Sequence, residues 1–152
     1  MIKNDYYGIA CNELNYLESV LPSIYYNPLV VQVQQIAEKM LKSVANSMYT
    51  DIETLLHGHN LRQLYLKIHE GEPEFILDAH KLSTLKDYYF DAKYPGDNFV
   101  TVTAEEFDVC LDTMYDVIEQ VNNFRKKLNL DVITVQRKTN KTVNESVVFK
   151  LT

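Results

Sequence analysis

The chain is poor in the residues that punctuate or cross-link a fold. It has two cysteines, four glycines, four prolines and no tryptophan in 152 residues. Cys11 and Cys110 stand too far apart for the common metal-knuckle spacings, so they read as two reduced, buried thiols. So few glycines and prolines exclude collagen-like and linker-type composition, and they argue against disorder over most of the length. Four scattered glycines cannot build a phosphate loop, and Cys-x-x-Cys, His-Glu-x-x-His and Gly-x-Ser-x-Gly are all missing. No apolar run approaches the roughly 20 residues of a membrane-spanning helix. Acids stand where a secretory signal would carry its apolar core, so a cytoplasmic protein with no membrane partner is expected. What remains is 46% hydrophobic and 24% charged, enough for one sizeable core.

Net charge is −6, which opposes bulk coating of nucleic acid. Residues 1–124 hold 8 Lys/Arg against 19 Asp/Glu, whereas 125–152 hold 7 against 2. A basic tail on an acidic body can reach for a phosphate backbone or fold back on its own helices. Arg125, Lys126 and Lys127 favour the second, since they suit a helix C-terminus.

Apolar periodicity predicts helices throughout the body. Tyr7, Ala10, Leu14, Leu17 and Leu21 share one face of a first helix ended by Pro22. Asn27-Pro28 reads as N-cap and first-turn proline of a second. Its apolar set is Val30, Val33, Ala37, Met40, Leu41, Val44 and Met48, with Gln34, Gln35, Glu38, Lys39 and Lys42 on the solvent side. Thr50 to Glu53 has capping-box spacing and predicts a short helical turn before Gly58. A third helix fits His59–Glu70, with Leu61, Leu64, Tyr65 and Ile68 inward. A fourth starts at Pro73, carries Ile76, Ala79, Leu82, Leu85 and Tyr89, and ends before Pro95. Thr103-Ala104-Glu105-Glu106 is a capping box opening the longest helix, about 103–128, striped by Phe107, Leu111, Met114, Ile118, Val121 and Leu128. The tail changes period. Val132–Val135 and the alternation of Val147, Phe149 and Leu151 allow a small hairpin turning at Thr139-Asn140-Lys141. The expected fold is all-α: an up-and-down bundle of four to five helices over 1–128, with a basic tail or hairpin over 129–152.

Two constellations offer chemistry. His57-Gly58-His59 presents two imidazoles, but a metal needs further ligands, and Asp51 and Glu53 lack a ligand spacing; no metal is expected. Arg62 and His69 are seven positions apart and project from one helix face. An arginine steadying a phosphate and a histidine moving a proton would cleave RNA without metal through the 2′-OH. The plain alternative makes both the wet side of the third helix. Eleven tyrosines serve first as packing residues, with base stacking as the other use.

Three stretches resemble the HEPN family of small helical-bundle domains. Ala37-Glu38-Lys39-Met40-Leu41-Lys42 is similar to its second-helix signature, His59-Asn60-Leu61-Arg62-Gln63-Leu64 to its His-x-Leu-x-x-Leu segment, and Lys93-Tyr94-Pro95 to its Arg-Tyr-Pro. The resemblance implies a bundle that is commonly a homodimer, sometimes acting beside a nucleotidyltransferase partner. One branch of the family consists of toxin-type ribonucleases with Arg, four to six residues, then His, which Arg62 and His69 satisfy. The branch with the Arg-Tyr-Pro segment generally lacks that motif and is thought to bind nucleotides or RNA. Lys93 in place of arginine keeps the charge and loses the bidentate fork. The reading ranked first is a non-catalytic binding module without cofactor, with Lys39, Lys42, His59, Arg62, Lys93 and Tyr94 as its candidate polar surface. A scaffold subunit and a metal-independent ribonuclease using Arg62 and His69 are the alternatives.

Overall fold

A computed structural model describes the backbone of residues 4–96 and 99–151. The described residues form helices α1 (Tyr6–Ser19), α2 (Tyr26–Met48), α3 (Glu53–His57), α4 (Leu61–Gly71), α5 (Ala79–Lys93), α6 (Ala104–Lys127) and α7 (Asn140–Leu151). The result is an all-helical bundle with no strand among the described residues.

Local chemistry sets most of the boundaries. Asp5 caps α1 by accepting from the Gly8 amide at 2.7 Å. Asn60 caps α4 through the Gln63 amide, and Asp78 caps α5 through the amides of His80 and Lys81. Thr103 and Glu106 close the predicted capping box at the head of α6. Such caps satisfy amide donors that a helix leaves without partners in its first turn.

The apolar stripes meet as predicted. Leu14, Leu17, Leu21, Val33, Ala37, Met40, Leu41, Leu61, Leu64, Ile68, Leu82, Leu85, Phe107, Leu111, Met114, Ile118 and Val121 are all buried in one core. Helix α2 runs through its middle, packing against α1, α4, α5 and α6. Enclosure on several sides accounts for the clearest departure from the periodicity. Gln34, Glu38 and Lys42 lie on the polar side of the pattern, yet they are buried against neighbouring helices.

Other expectations are corrected by tertiary contacts. Asn27 does not cap α2, which starts at Tyr26 without a side-chain cap. Its amide donates to the carbonyls of Ala92 and Val100, and its oxygen accepts from the Val102 amide, pinning the α5–α6 connection onto α2. No side chain caps α3, so the box at Thr50–Glu53 does not form. Pro73 falls in a non-helical linker and Ile76 is exposed, because Asp78 delays the start of α5. Leu128 is exposed, one residue past the end of α6.

The hairpin does not form either. Asn129 turns the chain with φ 57°, residues 130–139 run as an irregular strap, and the chain from Asn140 is helical. The turn predicted at Thr139-Asn140-Lys141 is instead a helix start. The Thr139 hydroxyl accepts from the Thr142 amide at 3.0 Å, and the Asp108 carboxylate of α6 accepts from the amides of Asn140 and Lys141. Val147, Phe149 and Leu151 therefore lie on a helix.

The strap folds back on the acidic body. The Arg137 guanidinium pairs with Asp112, Asp116 and Glu119 of α6 at 2.8–2.9 Å, and Lys138 with Glu18 of α1 at 3.0 Å. Asn140, nearly fully buried, donates to the carbonyls of Leu21 and Ser23 and accepts from the Tyr26 hydroxyl. Ile133 is held at both backbone groups, its amide by the Tyr7 hydroxyl and its carbonyl by Asn122. No described helix is long and apolar enough to cross a membrane.

Candidate functional site

The polar centre of the molecule is Glu38, on α2. Its side chain is 8% exposed and both oxygens are engaged. One accepts from the Lys42 ammonium at 3.0 Å, one turn further along the same helix. The other faces His59 Nδ1 at 2.8 Å and accepts from the Gln34 amide at 3.2 Å. A carboxylate removed from water keeps its charge only with such partners, and Lys42, 7% exposed, is an equally buried counter-charge. The Gln34 Oε1 atom is buried and has no hydrogen-bond partner.

His59 carries this network to the surface. It stands two residues before α4 and its side chain is 52% exposed. The carboxylate holds Nδ1, which leaves Nε2 as the ring nitrogen free to meet a ligand. The ring lies 6.2 Å from that of Tyr89, a buried residue on α5. The Tyr89 hydroxyl accepts from the Lys93 ammonium at 3.0 Å and holds the Lys93 pKa above the ordinary lysine range. That ammonium sits 4.9 Å from the Tyr89 ring centroid and 5.4 Å from that of Tyr94. Phe90 and Tyr94, both exposed, are stacked with centroids 6.1 Å apart and planes 27° apart. An imidazole, an ammonium and an aromatic pair thus share the end of α5. Together they match the parts of a phosphate and of a planar base.

A family model for the HEPN domain matches residues 4–124, most of the chain. The chain belongs to the HEPN family. Comparison with curated proteins and with solved structures finds no match.

The three HEPN-like stretches converge in space: Glu38 and Lys42 from α2 meet His59 before α4, and His59 neighbours the α5 end carrying Lys93 and Tyr94. Three further predicted residues stand apart from this cluster. Lys39 pairs with Glu13 of α1 across the α1–α2 seam. Arg62 is exposed on α4 and forms no ion pair among the described residues. His69 is half-buried; Nδ1 faces the Phe75 carbonyl at 2.8 Å and the ring lies 5.5 Å from Tyr65. It ties down the α4–α5 linker, leaving Nε2 unused by that bond. Seven helical residues set Arg62 and His69 about 10 Å apart along the axis.

Sequence reasoning missed Glu38, Tyr89 and Phe90. The signal available was i,i+4 spacing: Glu38 with Lys42, Tyr89 with Lys93 and Phe90 with Tyr94 each fall one turn apart. Among the described residues no group of His, Cys, Asp and Glu could hold a metal ion, and His57 stands exposed beside the Glu38-bound His59. An open groove of about 600 Å³ between α3 and α4 is lined by Asp51, Glu53, Gly58, Asn60, Gln63 and Lys67, none of them a predicted site residue.

Both cysteines are free thiols. Burial pushes Cys110 up to about 12 and raises Cys11 as well, which disfavours the reactive thiolate.

Proposed function

We infer that this HEPN protein is a non-catalytic binding module whose ligand is a nucleotide or an RNA nucleotide held at the C-terminal end of α5. One observation carries the reading: the exposed Phe90–Tyr94 stack has the Lys93 ammonium beside it and His59 close by. A base can lie against either exposed ring, a contact worth about 1–3 kcal/mol, and the Lys93 ammonium and the His59 imidazole flank where its phosphate would fall. Lysine at 93 offers a point charge to that phosphate, so orientation comes from the rings. Lys42 acts from below by neutralising Glu38, and Lys39 and Arg62 are not needed for this contact.

Calorimetric titration of ATP, GTP and a short RNA tests the reading. Binding by at least one, weakened about tenfold or more by Tyr94→Ala, is expected. Silence from all three would overturn it and leave a protein partner, such as a nucleotidyltransferase, as the occupant of this surface.

The ribonuclease reading has one favourable observation, the free Nε2 of His69 on the helix that carries Arg62. It requires EDTA-resistant cleavage leaving 2′,3′-cyclic phosphate ends and lost in both His69→Ala and Arg62→Ala. A homodimer is proposed with either reading and is checked by light scattering.

A further inference from the structure

Two histidines of this chain are held through Nδ1, and they are held differently. His69 is fixed by a backbone carbonyl, a neutral acceptor that only orients the ring. His59 is fixed by the Glu38 carboxylate, which is buried, engaged at both oxygens, and paired with Lys42. A buried carboxylate behind an imidazole does two things. It selects the ring orientation in which Nε2 points away, and it stabilises the imidazolium when Nε2 gains a proton. Nε2 of the partly exposed His59 ring thus points away from the carboxylate and becomes a hydrogen-bond donor to an anion once it gains a proton.

We propose that His59 is the phosphate-contacting residue of the α5 nucleotide site and that Glu38 is its positioning residue. The proposal rests on the binding reading above and names the part of the ligand that His59 reads. The ligand's phosphate lies between His59 Nε2 and Lys93 Nζ, above the buried Tyr89 ring that both groups approach. The base lies on Phe90 or Tyr94. Nε2 takes a proton from solvent as the ligand binds and donates it in a hydrogen bond to a phosphate oxygen. The Glu38 carboxylate accepts from Nδ1–H of the resulting imidazolium, and the Lys42 ammonium holds the other oxygen of that carboxylate. The groups that meet the ring are Glu38 from α2 and Tyr89 from α5; Lys42 stands behind the first and Lys93 beside the second. Recognition is therefore of a nucleoside phosphate rather than a nucleoside. A mononucleotide and an RNA strand both supply that chemistry.

The test compares adenosine, ADP and a short oligoadenylate on wild-type protein, His59→Asn, His59→Gln and Tyr94→Ala. An asparagine amide replaces Nδ1 and keeps the Glu38 bond while deleting the ligand contact. A glutamine amide reaches towards Nε2 and gives up Glu38. His59→Asn should melt like wild type and lose about tenfold in ADP or oligoadenylate affinity, the share of one charge-assisted hydrogen bond, with adenosine binding unchanged. His59→Gln should recover only part of that loss. In long-range ¹H–¹⁵N spectra, free His59 should carry its proton on Nδ1, and saturating ADP should bring protonation to both nitrogens. ADP against oligoadenylate decides whether the phosphate is free or part of a strand. Wild-type affinity in His59→Asn, or His59 signals unmoved at saturation, would overturn the phosphate role, and full recovery in His59→Gln would overturn the positioning role. When Tyr94→Ala alone weakens binding, this proposal fails and the binding reading stands. When wild type binds none of the three ligands, both fail together.

Discussion

At the scale of single residues, the molecule depends on a few polar side chains placed where apolar ones would be expected. Asn27 satisfies three backbone groups of the α5–α6 connection. Asn27→Ala leaves those groups without partners and should cost about 2–3 kcal/mol in urea denaturation. The Glu38–Lys42 pair is more demanding. Lys42→Ala strands a buried carboxylate and should cost about 3–5 kcal/mol, whereas Lys39→Ala, at a half-buried seam, should cost far less. Glu106 titrates with a definite sign. The Tyr88 hydroxyl donating to its carboxylate, and then the Thr103 amide, hold its pKa below the ordinary 4.5. Its stabilisation is therefore complete above about pH 4.5 and lost as pH falls through the lower folded value. Tyr88, raised to about 12 by the same bond, contributes below its ordinary 10.0 and loses that contribution as pH rises towards 12. The stability gap between wild type and Glu106→Gln should hold steady between those limits and close on the acid side, as read by thermal melts across pH. Neither Asn27 nor Glu38 was legible for what it does. A side chain's burial depends on which other helices arrive, and spacing along one helix is silent about that.

At the scale of elements, helix starts were readable where the cap lies within a few residues. Thr103 and Glu106 form their box as predicted, and Thr103→Ala should destabilise by about 1 kcal/mol. Starts that borrow a cap from elsewhere were not readable. α7 begins where Asp108, 32 residues upstream, accepts from the Asn140 amide, and nothing local marks that contact. The β-branched run Val132–Val135 forms neither strand nor helix but lies in the strap, whereas Val147, from the alternation that suggested the second strand, is accommodated in α7. Asp108→Ala should speed amide exchange at residues 140–146 while leaving the middle of α6 protected, because only the first turn of α7 loses its acceptors. Unchanged exchange there would mean that the Thr139 hydroxyl suffices.

At the scale of the whole molecule, charge and topology act together. The surplus of acid over 1–124 is partly answered by the strap that its own chain lays across α1 and α6, through Arg137 and Lys138. These pairs are partly exposed and so are screened by salt, whereas the buried Asn140 and the Tyr7–Ile133 contact are not. A chain ending at residue 128 should still fold as a helical bundle by circular dichroism, with a lower melting temperature. It should also bind nucleotide as the full chain does, since His59, Lys93 and Tyr94 take their partners, Glu38, Tyr89 and Phe90, from α2 and α5. Loss of folding would show that 1–128 is not a unit by itself.

The order of apolar and polar residues was enough to set the all-helical class, the helices of the body and most of the core, because helix period is a local consequence of sequence. Ile36, Ala45, Phe75, Val117 and Phe124, by contrast, joined the core only because other helices pack over them. The three HEPN-like stretches were visible as words but not as a site. Only packing around α2 turned Glu38 inward, set His59 against it and brought the end of α5 alongside. Those contacts join residues far apart in sequence, and the energy that selects them comes from excluding water at several helix seams at once.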